Sequence, residues 1–172
     1  MIPGTVRRSG LDFMSDSMIG NRKFRTFNVI DDCSREVLAI EVDTSLSSKR
    51  IIRTLNRVGE NIGFPKAIRS DNGPEFTSKE FTIWCEDNGI QTKYIQPGKP
   101  TQNGYIERFN RLYREAVLDA YLFFDLDQVR HLTDEWIEEY NQRRPHEGLG
   151  NFTPSEWKGL LMKRKIQQEM TV

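Results

Sequence analysis

The chain has 172 residues, enough for one domain with a real hydrophobic core and no need of disulfide or metal staples. Acids and bases balance at 25 each, and this zero net charge argues against binding nucleic acid by bulk charge alone. Two cysteines are too few for a disulfide scaffold, no apolar run reaches membrane-spanning length and the first residues lack a signal-peptide pattern, so a reduced intracellular setting is expected.

Residues 1–9 read as an arm. Leu11 to Met18 reads as a strand, Gly20-Asn21 as a hairpin turn, and Phe24 to Ile30 as the return strand. Asp31-Asp32-Cys33-Ser34 is a turn, and Glu36 to Val42 a third strand of an antiparallel meander. The period then changes. Ser47 caps a helix with Ile51, Ile52, Leu55, Val58 and Ile62 on one face, ended by Gly63. A short strand over Pro65 to Ser70 follows, then a helix carrying Phe81, Trp84 and Cys85, with Thr77 and Glu80 as its capping box. Ile90 to Ile95 is a last short strand. Meander, helix, strand, helix, strand implies an α/β fold with a five-stranded mixed sheet, parallel after the meander and joined by right-handed crossovers.

Helical spacing resumes at Gln102. Ile106, Phe109, Tyr113, Ala116, Val117 and Ala120 form an apolar stripe, and Asn103, Glu107, Asn110 and Arg114 a polar one, in a helix expected to end near Phe124. Asp125 and Gln128 cap a second long helix bearing Val129, Leu132, Trp136, Ile137 and Tyr140, which Arg143-Arg144-Pro145 breaks. Thr153-Pro154-Ser155-Glu156 opens the final helix, and the basic run Lys163-Arg164-Lys165 lies near the end. The expected organisation is an arm at 1–10, a core over 11–157 and a basic helix or tail at 158–172.

With 25 acids available, position must select the functional ones. Asp12 sits in the first strand between Leu11 and Phe13, where an acid is costly unless something positive compensates it. Asp71 follows the strand Ala67-Ile68-Arg69, and Asn72-Gly73 turns the chain there, so its carboxylate projects at a strand's carboxyl end, the usual ligand edge of an open sheet. Glu107 lies on the covering helix, and the chain between can return it to the same edge. Three converging carboxylates repel, and a hard divalent cation is their natural compensation. Mg²⁺ or Mn²⁺ suits an all-carboxylate set, and two ions about 3.5–4 Å apart clamp the attacking and leaving oxygens of a phosphodiester.

The segments LDFMSD, RSDNGPEF and PTQNGYIERFNR, followed by YNQRRPHEGL and Thr153-Pro154, closely resemble the integrase core of bacterial insertion-sequence transposases and retroviral integrases. The resemblance runs from about Leu11 to Trp157, and its later part looks like the insertion-sequence branch. It implies a ribonuclease H-like fold and a catalytic, metal-binding triad of Asp12, Asp71 and Glu107, served by Mg²⁺ or Mn²⁺. The implied activity is cleavage of one DNA strand to free a 3′-hydroxyl, then strand transfer by that hydroxyl. Asn72, Lys99, Gln102, Asn103, Asn110, Arg111 and Arg114 are the DNA-contact candidates it suggests. The expected partners are element ends and target DNA, further copies of the chain, and an upstream helix-turn-helix segment or separate subunit, in a bacterial cytoplasm. The chain therefore reads as a fragment.

Two rival readings remain at this level: a ribonuclease H-like nuclease that cuts without joining, and an inactive DNA-binding or assembly module. Asp31 and Asp32 read as turn residues, and Asp16, four residues on from Asp12, as a weaker substitute for it. His131 reads as surface, His146 as a DNA contact or a packing residue, and the three tryptophans as core or interface. The lysine-rich tail reads as solvated.

Overall fold

The structure, a computed structural model, describes residues 7–170. Three antiparallel strands, β1 (Arg8–Ser17), β2 (Lys23–Asp31) and β3 (Val37–Asp43), open the chain. Gly20 and Asn21 turn the first hairpin with φ of 88° and 60°, the left-handed pair that Gly and Asn tolerate. Helix α1 (Ser48–Ile62) leads to β4 (Ala67–Ser70), which lies parallel to β1, and α2 (Pro74–Thr77) with α3 (Lys79–Asp87) leads to β5 (Gln91–Tyr94). The sheet order is β3-β2-β1-β4-β5, the five-stranded mixed sheet of a ribonuclease H-like fold. A 3₁₀ turn (Pro100–Asn103) runs into α4 (Gly104–Tyr113), then a π turn (Arg114–Leu118), α5 (Leu126–Arg143) and α6 (Pro154–Met170).

The alternation of β1 divides the core. Leu11 and Phe13 face a cluster with Phe27, Ile51, Leu55, Ile68, Phe76 and Phe81, beneath α1 and α3. Met14 and Met18 join the opposite cluster with Ile106, Phe109, Tyr113, Val129 and Tyr140, beneath α4 and α5. Asp12 has the parity of Met14, so the period of two sends it toward α4. A Cβ at Gly10 would make ordinary contact with Ile106 of α4 at 3.6 Å but would press on Asp32 Oδ1 at 3.3 Å.

Several boundaries differ from expectation for local reasons. β1 begins at Arg8, because Arg8 pairs with β4 and Ser9 and Gly10 pair with both β2 and β4, so residues 8–10 belong to the sheet and not to an arm. Of the rest of that arm, Arg7 pairs with Asp31 and residues 1–6 lie outside the described residues. Ser78, not Thr77, caps α3, its hydroxyl accepting from the Phe81 N–H, while Thr77 ends the separate turn α2. The helix after Pro100 ends at Leu118, well before Phe124, since its last turn widens to close on the Arg114 carbonyl. That widening places Val117 and Leu118 side by side in the core and leaves Ala116 and Ala120 exposed. Helix α6 continues unbroken across residues 157 and 158.

The predicted caps at Ser47, Asp125 and Thr153 are in place. At the last, the Thr153 N–H also donates to Glu156, completing the reciprocal box. Asn141 ties α5 to the sheet: its Oδ1 accepts from the Val37 N–H at 2.9 Å and its Nδ2 donates to the Val37 carbonyl at 3.0 Å. The amide thus acts as a one-residue strand on the free edge of β3. Asn141→Ala leaves two buried main-chain groups unpaired, so a loss of about 2–4 kcal/mol is expected. Urea unfolding should show it as a lower midpoint at unchanged slope.

Candidate active site

The register of the parallel pair sets Gly10 against Arg69. Continued two residues, it brings Asp71 alongside Asp12, with neighbouring strands about 4.8 Å apart. Asp12, Asp71 and Glu107 all line one concavity of about 460 Å³, with Asn72, Asn103 and the loop Ile95 to Lys99. The loop is held from both sides. Asn72 Nδ2 donates to the Ile95 carbonyl at 3.2 Å, and Gln102 Oε1 accepts from the Gln96 N–H at 3.0 Å.

Each acid is fixed differently. Asp12 Oδ1 accepts from the Phe13 N–H at 2.8 Å and its Oδ2 from Asn110 Nδ2 at 2.7 Å. Asn110 in turn takes a hydrogen bond on Oδ1 from Asn28 Nδ2 at 2.8 Å, and Asn28 is fully buried. With its oxygen engaged by Asn28, the Asn110 amide must offer its NH₂ to Asp12. Asp71 Oδ1 accepts from the Gly73 N–H at 2.9 Å, and a Cβ on Gly73 would press within 3.0 Å of that oxygen. Glu107 is exposed in the first turn of α4.

Burial pushes the Asp12 carboxyl up to about 6, with the charges of Asp71 and Glu107 adding to the rise and the two hydrogen bonds opposing it. Elsewhere the acids of the sheet are neutralised by bases: Asp31 by Arg7, Asp32 by Arg69, Glu36 by Lys158, Glu41 and Asp43 by Arg50, Glu75 by Arg25. Among the described residues, Asp12, Asp71 and Glu107 form no ion pair. This donor set fits a hard divalent cation in chemistry: unpaired carboxylates, with no imidazole or thiolate beside them. As the side chains stand, no group of three or more His, Cys, Asp or Glu among the described residues could hold an ion, so the acids share the concavity without closing into a ligand cage.

Known proteins carry the same arrangement of sequence and fold. Residues 9–100 match the family model described as integrase core domain, and residues 88–154 match a second model of the same description. The chain belongs to the integrase core domain family. An uncharacterized 39.2 kDa protein of insertion element IS476 from Xanthomonas euvesicatoria is 40% identical over 147 residues, covering 86% of this chain and 42% of that protein. An uncharacterized 31.7 kDa protein of insertion element IS407 from Burkholderia multivorans is also 40% identical over 147 residues, 86% of this chain and 53% of its own length. The chain thus spans about half the length of the curated relatives it matches. The HTLV-2 integrase catalytic core domain, solved in complex with magnesium, superposes with a TM-score of 0.71 at 19% identity, over 88% of this chain and 95% of that one.

The other candidates of this integrase core separate into those facing the concavity and those bound to protein. Lys99 is exposed on its wall, and Asn103 is 4% exposed there with its Oδ1 unpartnered. Arg111 is exposed on α4. Asn110 is engaged by Asp12 and Asn28, and Arg114 turns to Asp16 at 3.4 Å and to the Ser15 carbonyl at 3.0 Å. Asp16 is thereby paired away from the concavity. Asp31 accepts from the N–H groups of Cys33 and Ser34, the turn role expected of it. His131 is exposed beside Glu135, and no described helix is long and apolar enough to cross a membrane. Sequence reasoning passed over Asn28. An Asn in a strand otherwise made of Phe27, Val29 and Ile30 was the available signal, since a buried amide demands partners.

The raised Asp12 pKa carries a sign. Protonation of the folded state is favoured between the usual carboxylate value near 3.8 and about 6, so stability falls as pH rises through 6. The cost of the charge above that pH is about 3 kcal/mol before the lost Phe13 N–H bond is discounted. Asp12→Asn is therefore expected to melt roughly 3–6 °C above the wild type at pH 8 without divalent ions, and no higher at pH 4. Thermal melts across that range check it.

Proposed function

We propose that this integrase core is the catalytic part of an insertion-sequence transposase, which cuts one DNA strand at an element's end and joins the freed 3′-hydroxyl to target DNA. The observation that carries this reading is the meeting of three unneutralised acids in one concavity, Asp12 from the middle of β1, Asp71 just past the carboxyl end of β4 and Glu107 from the first turn of α4. The insertion-element relatives and the magnesium-bound integrase core support it.

Asp12, Asp71 and Glu107 would hold the divalent ions, Mg²⁺ or Mn²⁺ and two in number. When bound, such ions lower the pKa of a water or sugar hydroxyl and stabilise the departing oxyanion. The chain's own residues prepare the place. Asp12 is locked by the Phe13 N–H and Asn110, and Asp71 by the Gly73 N–H, so both keep their orientation while anionic. Asp71 and Glu107 are both exposed, and rotation of the longer Glu107 side chain would gather the set. Lys99 and Arg111 supply charge to the DNA backbone, positioning without reading sequence. Asn103 and Gln102 hold the strand's sugar-phosphate edge, and Asn72 braces the loop opposite. Two element ends require more than one copy of the chain, and the missing half of the relatives' length is where a helix-turn-helix reader of those ends would lie, in a bacterial cytoplasm.

The test uses the full-length protein, Mn²⁺ and a duplex bearing a pre-cut 3′-hydroxyl element end. Wild type is expected to join it to a second duplex. Asp71→Asn and Glu107→Gln should each lose at least on the order of a thousandfold in joining and the Mn²⁺-induced rise in melting temperature, with folding retained. Cutting without any joined product would make the protein a plain nuclease, and variants that keep both metal response and joining would remove the triad.

A further inference from the structure

The flank of α4 turned away from Glu107 carries a second polar constellation. Successive helical residues are about 100° apart, so Arg108 and Tyr105 point to a side that the acidic concavity does not share. Arg35, from the turn between β2 and β3, lays its guanidinium carbon 3.2 Å from the centroid of the Tyr105 ring. Beyond it Tyr140 of α5 meets the His146 ring edge-on at 4.9 Å, and the His146 N–H donates to the Phe152 carbonyl at 3.0 Å, pinning that segment. Arg144 completes the group.

What sets this group apart is the ring beneath Arg35 and the buried, unpartnered nitrogen on that guanidinium, since Arg8, Arg22, Arg53, Arg111, Arg143 and Arg164 likewise show no ion pair among the described residues. Arg7, Arg25, Arg50, Arg57, Arg69, Arg114 and Arg130 each pair with an acid. Among the described residues Arg35, Arg108 and Arg144 pair with none, and Arg35 Nη1 is buried without a partner. All three act on the same neighbours: together with burial they hold the His146 pKa below its ordinary value, so the ring stays neutral and the positive charge is theirs. Like charges gathered this way are unfavourable until an anion joins them. Guanidinium forks match phosphate oxygens, and a ring beneath Arg35 holds one fork in place.

We propose that Arg35, Arg108 and Arg144 form a phosphodiester-binding site that holds the DNA backbone on the flank of α4 beside the acidic concavity. It rests on the reading of the chain as a DNA-acting enzyme. Arg108 directly follows Glu107, so a strand leaving the concavity across α4 meets this site next. A helix about 10 Å thick corresponds to on the order of three nucleotides of duplex rise. DNA is favoured over a small anion because the arginines come from three separate places in the chain, the β2–β3 turn, α4 and the end of α5, and Arg108 and Arg144 are exposed.

Fluorescence anisotropy of a labelled duplex of arbitrary sequence, titrated with this chain over a series of KCl concentrations without divalent ions, tests it. The Arg35→Gln/Arg144→Gln variant should lower the slope of log affinity against log salt by about 1.8, since each lost phosphate contact removes about 0.9. Arg108→Gln alone should lower it by about 0.9, and serves if the double variant melts early. An equal charge change in the exposed tail, Arg164→Gln/Lys165→Gln, should leave the slope nearer the wild-type value. Cluster variants that match wild type, or that match the tail variant, overturn this inference alone. A wild type that binds no duplex at low salt overturns it together with the functional reading.

Discussion

The arrangement of this integrase core depends on one electrostatic constraint: one aspartate within β1 and another just past the end of its parallel neighbour β4, with a glutamate beside them in one concavity and no base paired to any of the three. Asp12 and Asp71 cannot avoid each other, because the β1–β4 register that pairs Gly10 with Arg69 also fixes their spacing. The strain is visible in Asp12, whose carboxyl is pushed up to about 6 chiefly by burial and further by its two acidic neighbours. A fold that merely needed solubility would pair such groups, as this one does at Asp31, Asp32, Glu41 and Glu75. Leaving the three unpaired concentrates negative potential at one rim of the sheet.

The rest of the fold serves that rim. Ile106, Phe109 and Tyr113 anchor α4 in the core it shares with α5. The Tyr113 hydroxyl and the Thr133 hydroxyl, 2.7 Å apart, satisfy each other inside that interface. The apolar stripe thereby fixes the rotation of α4, and rotation decides what each polar residue can do. Glu107 and Asn110 come to the concavity side, while Tyr105 and Arg108 come to the flank. A shift of one residue in the stripe would carry Glu107 about 100° from the aspartates.

Much of this was legible in the chain. Period-two strands, a change to helical period after Asp43, and strong capping residues gave five strands in the correct order of elements, and the neighbourhoods of Asp12, Asp71 and Glu107 singled out three acids that line one concavity. What the sequence hid was of two physical kinds. Boundaries moved where a side chain could serve either of two adjacent positions, as with Thr77 and Ser78, or where a helix widened to seat consecutive apolar residues, as at Val117 and Leu118. Roles moved where a partner lay far along the chain. Asn110 and Arg114 share a polar stripe with Glu107, yet their partners, Asn28, Asp12 and Asp16, are 82 and 98 residues away. Helical spacing carries no information about such contacts.

The choice of an amide to hold Asp12 follows from the same electrostatics. A lysine or arginine at position 110 would fix the carboxylate just as firmly, but would cancel its charge and remove the attraction for a cation. Asn110 supplies a donor without net charge, so Asp12 is oriented and left anionic. An amide can flip, however, and in the flipped state its oxygen would face the carboxylate and repel it. The Asp12 carboxylate opposes this at one end by accepting from the Asn110 NH₂, and buried Asn28 opposes it at the other by donating to the Asn110 oxygen. Two amides in series, one half-buried and one fully buried, therefore do what one charged residue could not: they set the direction of Asp12 while preserving the negative potential of the concavity.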